Sequence, residues 1–156
     1  MLALLLALAG AGVQAQSCAV SATPLAFGSY VSPQGPRVDS SATVQVRCTP
    51  AYLLLACRVS YTLSLSAGQT PSAGVRQLSA GTARLRYDLY SDAARTQPWG
   101  DGGASGALVG GSISSGLLGL LCLQGSRNHT VYGRLPAAQN VPVGVYADQV
   151  VLTVTY

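Results

Sequence analysis

The residues able to do chemistry in this chain are few. One histidine, His129, stands beside Asn128, five aspartates supply every carboxylate side chain, and glutamate and lysine are absent. A general base at neutral pH is usually a histidine oriented by a carboxylate and set against a nucleophile. No G-x-S-x-G elbow, H-E-x-x-H pair or Walker loop accompanies His129. It therefore reads as a surface or strand-end histidine, with proton transfer as the competing reading. Asp101 in "WGDGG" is a single carboxylate where calcium wants about six oxygens or more. Those glycines open no helix that could cradle a phosphate. Trp99, the lone tryptophan, reads either as a platform for stacking sugars or as a cap on one end of the core beneath a glycine turn. No catalytic, metal or cofactor site is expected, and the chain reads as non-enzymatic.

The four cysteines, Cys18, Cys48, Cys57 and Cys122, are an even set without a C-x-x-C spacing. In an exported chain that predicts two disulfides, with three pairings open. Export is expected from the opening MLALLLALAGAGVQAQ, where an apolar run from Leu2 to Val13 meets small residues, Val13 and Ala15, at the −3 and −1 positions of a cleavage site. The basic flank common in such leaders is missing, yet the polar Gln14, Gln16 and Ser17 end the run well short of the ~20 apolar residues of a membrane span. Residues 1–15 are accordingly expected to be a signal peptide and 16–156 one domain, with no membrane span.

Nine arginines against five aspartates give a formal charge of +4. The arginines are scattered from Arg37 to Arg134, with only Arg84 and Arg86 close together, a pattern of solvated surface rather than of nucleic-acid binding.

The elements that must position these residues are strands. In "RVSYTLSLSAG", Val59, Tyr61, Leu63 and Leu65 alternate with polar residues; in "ARLRYDLYSD", Leu85, Tyr87 and Leu89 do the same; "ADQVVLTVTY" sets Val150, Leu152, Val154 and Tyr156 against Val151, Thr153 and Thr155. Further strands are expected within "CAVSATPLAFGSY", "ATVQVRC", "SISSGLLGLLCLQ" and "HTVYGRL". Between them, "SPQGP", "SAGQTPSAG", "PWGDGGASG" and "LPAAQNVPVG" carry turn residues. About seven short strands without a helix predict an all-β antiparallel sandwich, with an eight-stranded barrel as the alternative.

Taken in order, several of these stretches resemble the spore coat protein U domain family, whose members include subunits of archaic, Csu-type chaperone-usher pili. The resemblance rests on Phe27, Gly28 and Tyr30; on "RQL" from Arg76; on the Y-x-L-Y of Tyr87 to Tyr90; on Trp99 and Gly100; and on the tail Tyr132, Gly133, Arg134, Gln139, Gly144, Tyr146 and Asp148 through to Tyr156. It runs from Cys18 to the end of the sequence.

The resemblance implies an immunoglobulin-like sandwich lacking its last strand, which a periplasmic chaperone first supplies and a neighbouring pilus subunit then replaces at the outer-membrane usher. The last predicted strand runs to Tyr156 with nothing after it to cover the edge, as such an open sheet would require. The donor-strand groove is then expected between Val20, Ala22, Leu25 and Phe27 on one side and Val150, Leu152, Val154 and Tyr156 on the other, residues that equally read as ordinary core. The resemblance also implies a Cys18–Cys48 bridge, with Cys57 and Cys122 as the second pair. Two continuous apolar stretches, Tyr52, Leu53, Leu54 and Leu55, and Leu117, Leu118, Leu120, Leu121 and Leu123, read either as buried packing or as apolar loops that adhere to surfaces.

Cys18 lies only three residues beyond Ala15. A donor extension needs about ten residues, so the expectation is an acceptor at a fibre tip, exported through the periplasm to the cell surface. The alternative is a free-standing secreted spore-coat or cell-surface protein that does not polymerise.

Overall fold

The computed structural model describes residues 16–50, 57–114, 116–117 and 121–156, with the backbone alone at 117 and 121. The signal peptide expected over 1–15, the stretch Tyr52 to Leu55, and Leu118 and Leu120 lie outside the described residues.

Ten strands are described: β1 (Ser17–Ala22), β2 (Val38–Thr49), β3 (Arg58–Leu65), β4 (Arg76–Ala80), β5 (Ala83–Tyr90), β6 (Val109–Ser114), β7 (Gly116–Leu117), β8 (Leu121–Cys122), β9 (Gly125–Leu135) and β10 (Leu152–Thr155). They form a five-stranded sheet in the order β1-β2-β9-β5-β4, a three-stranded sheet in the order β10-β3-β6, and a small β7–β8 ribbon, with every strand pair antiparallel. The architecture is the expected antiparallel sandwich. Among the described residues no helix is long and apolar enough to cross a membrane.

The period-two patterns do what a half-buried strand requires. Val59, Tyr61, Leu63 and Leu65 of β3 face Val44, Val46 and Cys48 of β2, Leu85, Tyr87 and Leu89 of β5, and Val131 and Leu135 of β9 in one core. Trp99 is wholly buried in that core, its indole N–H donating to the Leu63 carbonyl at 3.3 Å and its backbone N–H to Leu89 at 2.9 Å. Of its two readings, the structure selects the core cap.

Several boundaries differ from the sequence expectation. The first strand ladders only as far as Ala22; beyond Thr23, whose N–H donates to the Thr43 carbonyl, the segment to Tyr30 carries no ladder. β9 begins at Gly125, so His129 sits inside a strand rather than at its start. β4 is not signalled by the sequence, because the first of its inward side chains, ahead of Leu78, is the buried Arg76.

Two disulfides close the framework. Cys18 and Cys48 stand directly opposite in the β1–β2 ladder and are bonded, welding the edge strand to β2. Cys57 is bonded to Cys122, tying the start of β3 to the ribbon.

Candidate functional site

Each sheet ends in a strand with one partner. Among the described residues β1 pairs only with β2, and β10 only with β3. These two edges approach one another at one side of the sandwich. Between them the chain leaves an open groove. One half, ≈ 500 Å³, has Val44, Leu65, Leu89 and Val131 as its floor, Ala22 to Leu25 on one rim and Asp148 to Leu152 on the other. The other half, ≈ 670 Å³, continues between Leu25 to Tyr30 and Val141 to Asp148 over Leu78, Leu85 and Leu135. Both rims run beyond the ends of β1 and β10: from Pro24 to Tyr30 the first has no laddering neighbour, while the second is pinned on its outer side by a Ser79–Ala147 bridge and by the Val151 carbonyl accepting from Ser66, and apolar side chains of both border the same empty space.

Five of the residues expected from the sequence line this groove: Ala22, Leu25, Phe27, Val150 and Leu152. Val20 and Val154 pack half-buried against the core outside it, and Tyr156 is 52% exposed at the chain's end. The sequence reading missed Leu78 and the Val141 to Tyr146 rim, where Val143 and Val145 stand fully out in solvent beside the groove. Tyr87, Leu89 and Val131 were visible as strand residues, but nothing in their alternation separates a groove floor from closed core.

The rim is held by the residues that carried the family resemblance. Tyr30 donates from its hydroxyl to the Pro136 carbonyl at 3.1 Å and accepts from the Gln139 backbone N–H at 2.7 Å. The Gln139 side-chain amide imitates a strand neighbour: it accepts from the Arg86 N–H at 2.8 Å and donates to the Arg86 carbonyl at 2.9 Å. Gly133 is a glycine for steric reasons, since a Cβ there would meet the Phe27 ring at 2.9 Å and the Leu25 methyls at 3.0 Å. Its bare backbone lets the first rim lie down on β9.

Where the two halves meet, Tyr87 donates its hydroxyl to Asp148 at 2.7 Å, and Asp148 also accepts from the Gln69 and Gln149 backbone N–H groups at 2.9 and 2.8 Å. Burial, reinforced by the carboxylate it faces, pushes the Tyr87 hydroxyl far above its ordinary range, so it remains a donor. Arg76, 3% exposed, donates to the carbonyls of Ser66 at 2.9 Å, Leu65 at 3.0 Å and Ser105 at 3.4 Å. Burial lowers its pKa, yet a guanidinium keeps its charge in proteins, and these carbonyls are what let it stay buried.

His129 takes no part in the groove. Its Nε2 is 2.7 Å from the Tyr61 hydroxyl, and its ring meets Trp99 edge-on at 6.3 Å. Burial, with a smaller contribution from the Arg127 charge, holds its pKa below the ordinary value, which favours the neutral ring against the Tyr61 hydroxyl. Asp101 bonds to the Ser105 hydroxyl at 2.7 Å and the Gly103 N–H at 3.0 Å, closing its own turn. Among the described residues no three His, Cys, Asp or Glu side chains are grouped to hold a metal.

The family model that describes a Spore Coat Protein U domain matches residues 4–153. "Protein U" of Myxococcus xanthus is 34% identical over 146 residues, which cover 85% of this chain and 71% of that protein. Among solved structures the fold is similar, at a TM-score of 0.56 and 20% identity, to a chain in the CsuC–CsuE chaperone–tip adhesion subunit pre-assembly complex from archaic chaperone-usher Csu pili of Acinetobacter baumannii. That likeness takes in 91% of this chain but only 40% of the solved one. The motifs clustered around the groove and the match along nearly the whole sequence agree, and the chain belongs to the Spore Coat Protein U domain family.

Proposed function

We propose that this protein is an exported, non-enzymatic subunit of a chaperone-usher type pilus, and that it accepts an extended strand in the groove between β1 and β10. The observation that carries this reading is the groove itself, an apolar trough between the edge strands β1 and β10, one of whose rims, from Pro24 to Tyr30, is chain without a laddering neighbour. An extended segment bonds to such rims through its backbone, while every second side chain drops to the floor. Four or five apolar side chains delivered in this way contribute about 6–15 kcal/mol gross. That is the size of a whole domain's stability, about 5–15 kcal/mol. The partners in this reading are a periplasmic chaperone, an outer-membrane usher and neighbouring subunits, and the route runs through the periplasm to the cell surface.

The test compares the exported chain alone with the same chain carrying an alternating apolar strand fused after Tyr156 through a flexible linker, and with the chain co-expressed with its chaperone. Soluble, cooperatively melting protein only when a strand is supplied supports the reading; identical melting of all three forms overturns it. N-terminal sequencing of the mature protein tests the tip position: few residues before Cys18 leave nothing to donate, and a long extension makes it an internal subunit. The apolar stretches Tyr52 to Leu55 and Leu117 to Leu121 are proposed to contact surfaces, and Leu54→Ser with Leu118→Ser should then abolish attachment without loss of soluble protein.

A second reading, a free-standing spore-coat or cell-surface protein, is favoured by the 34% identity with Protein U against 20% with the pilus chain. Secretion as a stable monomer with no strand partner would select it.

A further inference from the structure

We infer that the outer face of the five-stranded sheet binds an acidic polysaccharide, one carrying carboxylate or sulfate groups along a chain of sugar rings. The charge that looked scattered in the sequence is gathered here by the fold. Six of the nine arginines fall on this side: Arg47 of β2, Arg84 and Arg86 of β5, Arg134 of β9, Arg37 just before β2, and Arg95, which reaches onto the face from the β5–Trp99 loop. The aspartates among them are Asp39, Asp88 and the loop residue Asp92.

Arg84 bonds to the Gly81 and Ala83 carbonyls at 2.6 and 2.9 Å and Arg47 to the Gln45 side-chain oxygen at 3.4 Å, and the other four cations divide into two kinds. Arg134 grips Asp39 with two bonds at 2.7 and 2.9 Å, and Arg95 lies 3.5 Å from the same carboxylate with its guanidinium 5.6 Å from the Tyr132 ring centre. These form the platform. Arg37 and Arg86 stay open, their side chains 65% and 54% exposed, with only long contacts of 3.8 and 3.4 Å to Asp39 and Asp88. Those two are free to take an anionic ligand.

Charge alone fits any polyanion, and the aromatic residues narrow the choice. Tyr90 and Tyr132 are direct cross-strand partners on this same face, side by side and half-buried. Further along the β2–β9 ladder come Thr43 opposite Thr130 and Gln45 opposite Asn128, with the two amides bonded at 3.3 Å. The Tyr90 ring, beside a Tyr132 that Arg95 covers, continued by a row of hydroxyls and amides and flanked by open arginines, matches the apolar faces, hydroxyls and acid groups of a sugar acid polymer. The face lies away from the groove, so this inference stands whether or not the groove takes a strand.

The test measures retention of the purified subunit, in complex with whatever fills its groove, on polygalacturonate, dextran sulfate and neutral dextran. Expected are binding to both acidic polymers, none to neutral dextran, and release as the Debye length shrinks to about 8 Å near 0.15 M salt. The double variant Arg37→Gln/Arg86→Gln should bind about fivefold to tenfold more weakly, the loss of two exposed charge contacts. Arg58→Gln, on the outer face of the other sheet, should bind like the parent. Tyr90→Ala should weaken binding to polygalacturonate without changing its salt dependence. Equal binding of Arg37→Gln/Arg86→Gln and the parent, an equal loss with Arg58→Gln, or capture of duplex DNA or anionic lipid vesicles as strong as that of the acidic polysaccharides would overturn the assignment.

Discussion

Tyr87 and Asp148, 61 residues apart, meet at 2.7 Å where the two halves of the groove join. Tyr87 comes from β5 of the five-stranded sheet and Asp148 from the rim that leads into the other sheet, so this bond spans the trough where its two halves join. Tyr87 is 4% exposed, and removing its hydroxyl leaves Asp148 with one donor fewer. Tyr87→Phe should cost about 1.5–3 kcal/mol, the range for a bond to a charged acceptor. The check is the urea midpoint of the strand-filled protein, with the slope unchanged.

Gly133→Ala probes the opposite wall. The new methyl group would need the space held by Phe27 and Leu25 at 2.9–3.0 Å, and overpacking of this kind costs about 1–3 kcal/mol. Because the displaced residues form the groove rim, the variant should also bind a synthetic donor peptide more weakly than the parent. A substitution that lowered stability but left peptide affinity untouched would separate the rim from the groove.

Much of this arrangement was legible in the sequence, and what escaped did so for identifiable reasons. The alternation in β3 and β5 is strong because both strands lie over the middle of the core. β4 shows no such signal, since its inward positions hold Arg76 and Leu78, and a buried arginine satisfied by three carbonyls looks like a surface residue in a one-dimensional pattern. The first half of β9 is polar on both faces because its inward residues, Arg127 and His129, sit towards one end of the sandwich, where Arg127 reaches the Ser112 carbonyl and His129 reaches Tyr61. The segment from Thr23 to Tyr30 reads as strand by composition and yet forms no ladder. Its apolar side chains Leu25, Phe27 and Tyr30 pack half-buried against the core, which gives the segment a strand-like pattern without a strand partner beyond Thr23.

The Cys18–Cys48 bridge joins an edge strand to the one strand it pairs with among the described residues, across a sequence separation of 30 residues. Replacing both cysteines by alanine should remove about 3.5 kcal/mol in the chain-entropy picture. The loss should be larger in practical effect before a strand is bound, when β1 has nothing else on its free side. Thermal melts of filled and unfilled protein, with and without the bridge, would show this as a greater drop for the unfilled form.

Acidification should destabilise the protein in two separate stages. His129 has its pKa held below the ordinary 6.5 by burial and by Arg127, so the unfolded chain binds the extra proton first. Stability from this group is complete above about pH 6.5 and is lost progressively as the pH falls below it. Protonation would also leave both ring nitrogens as donors, so that the Tyr61 hydroxyl must accept from Nε2. Asp39 has its pKa lowered by the Arg134 hydrogen bonds and the nearby arginines. Its contribution is present above the ordinary 3.8 and disappears only as the pH drops through its lower native value. His129→Gln should therefore flatten the stability profile between about pH 5 and 7 while leaving the steeper acid limb in place. Asp39→Asn should leave the upper range as it is and make the acid limb shallower, the rest of that limb belonging to Asp92 and Asp101, whose pKa values are also lowered. Melting temperatures of the two variants recorded from pH 3 to pH 8 would assign each limb to its residues, and a profile unchanged in the upper range by His129→Gln would show that the Tyr61 contact does not depend on the charge of the ring.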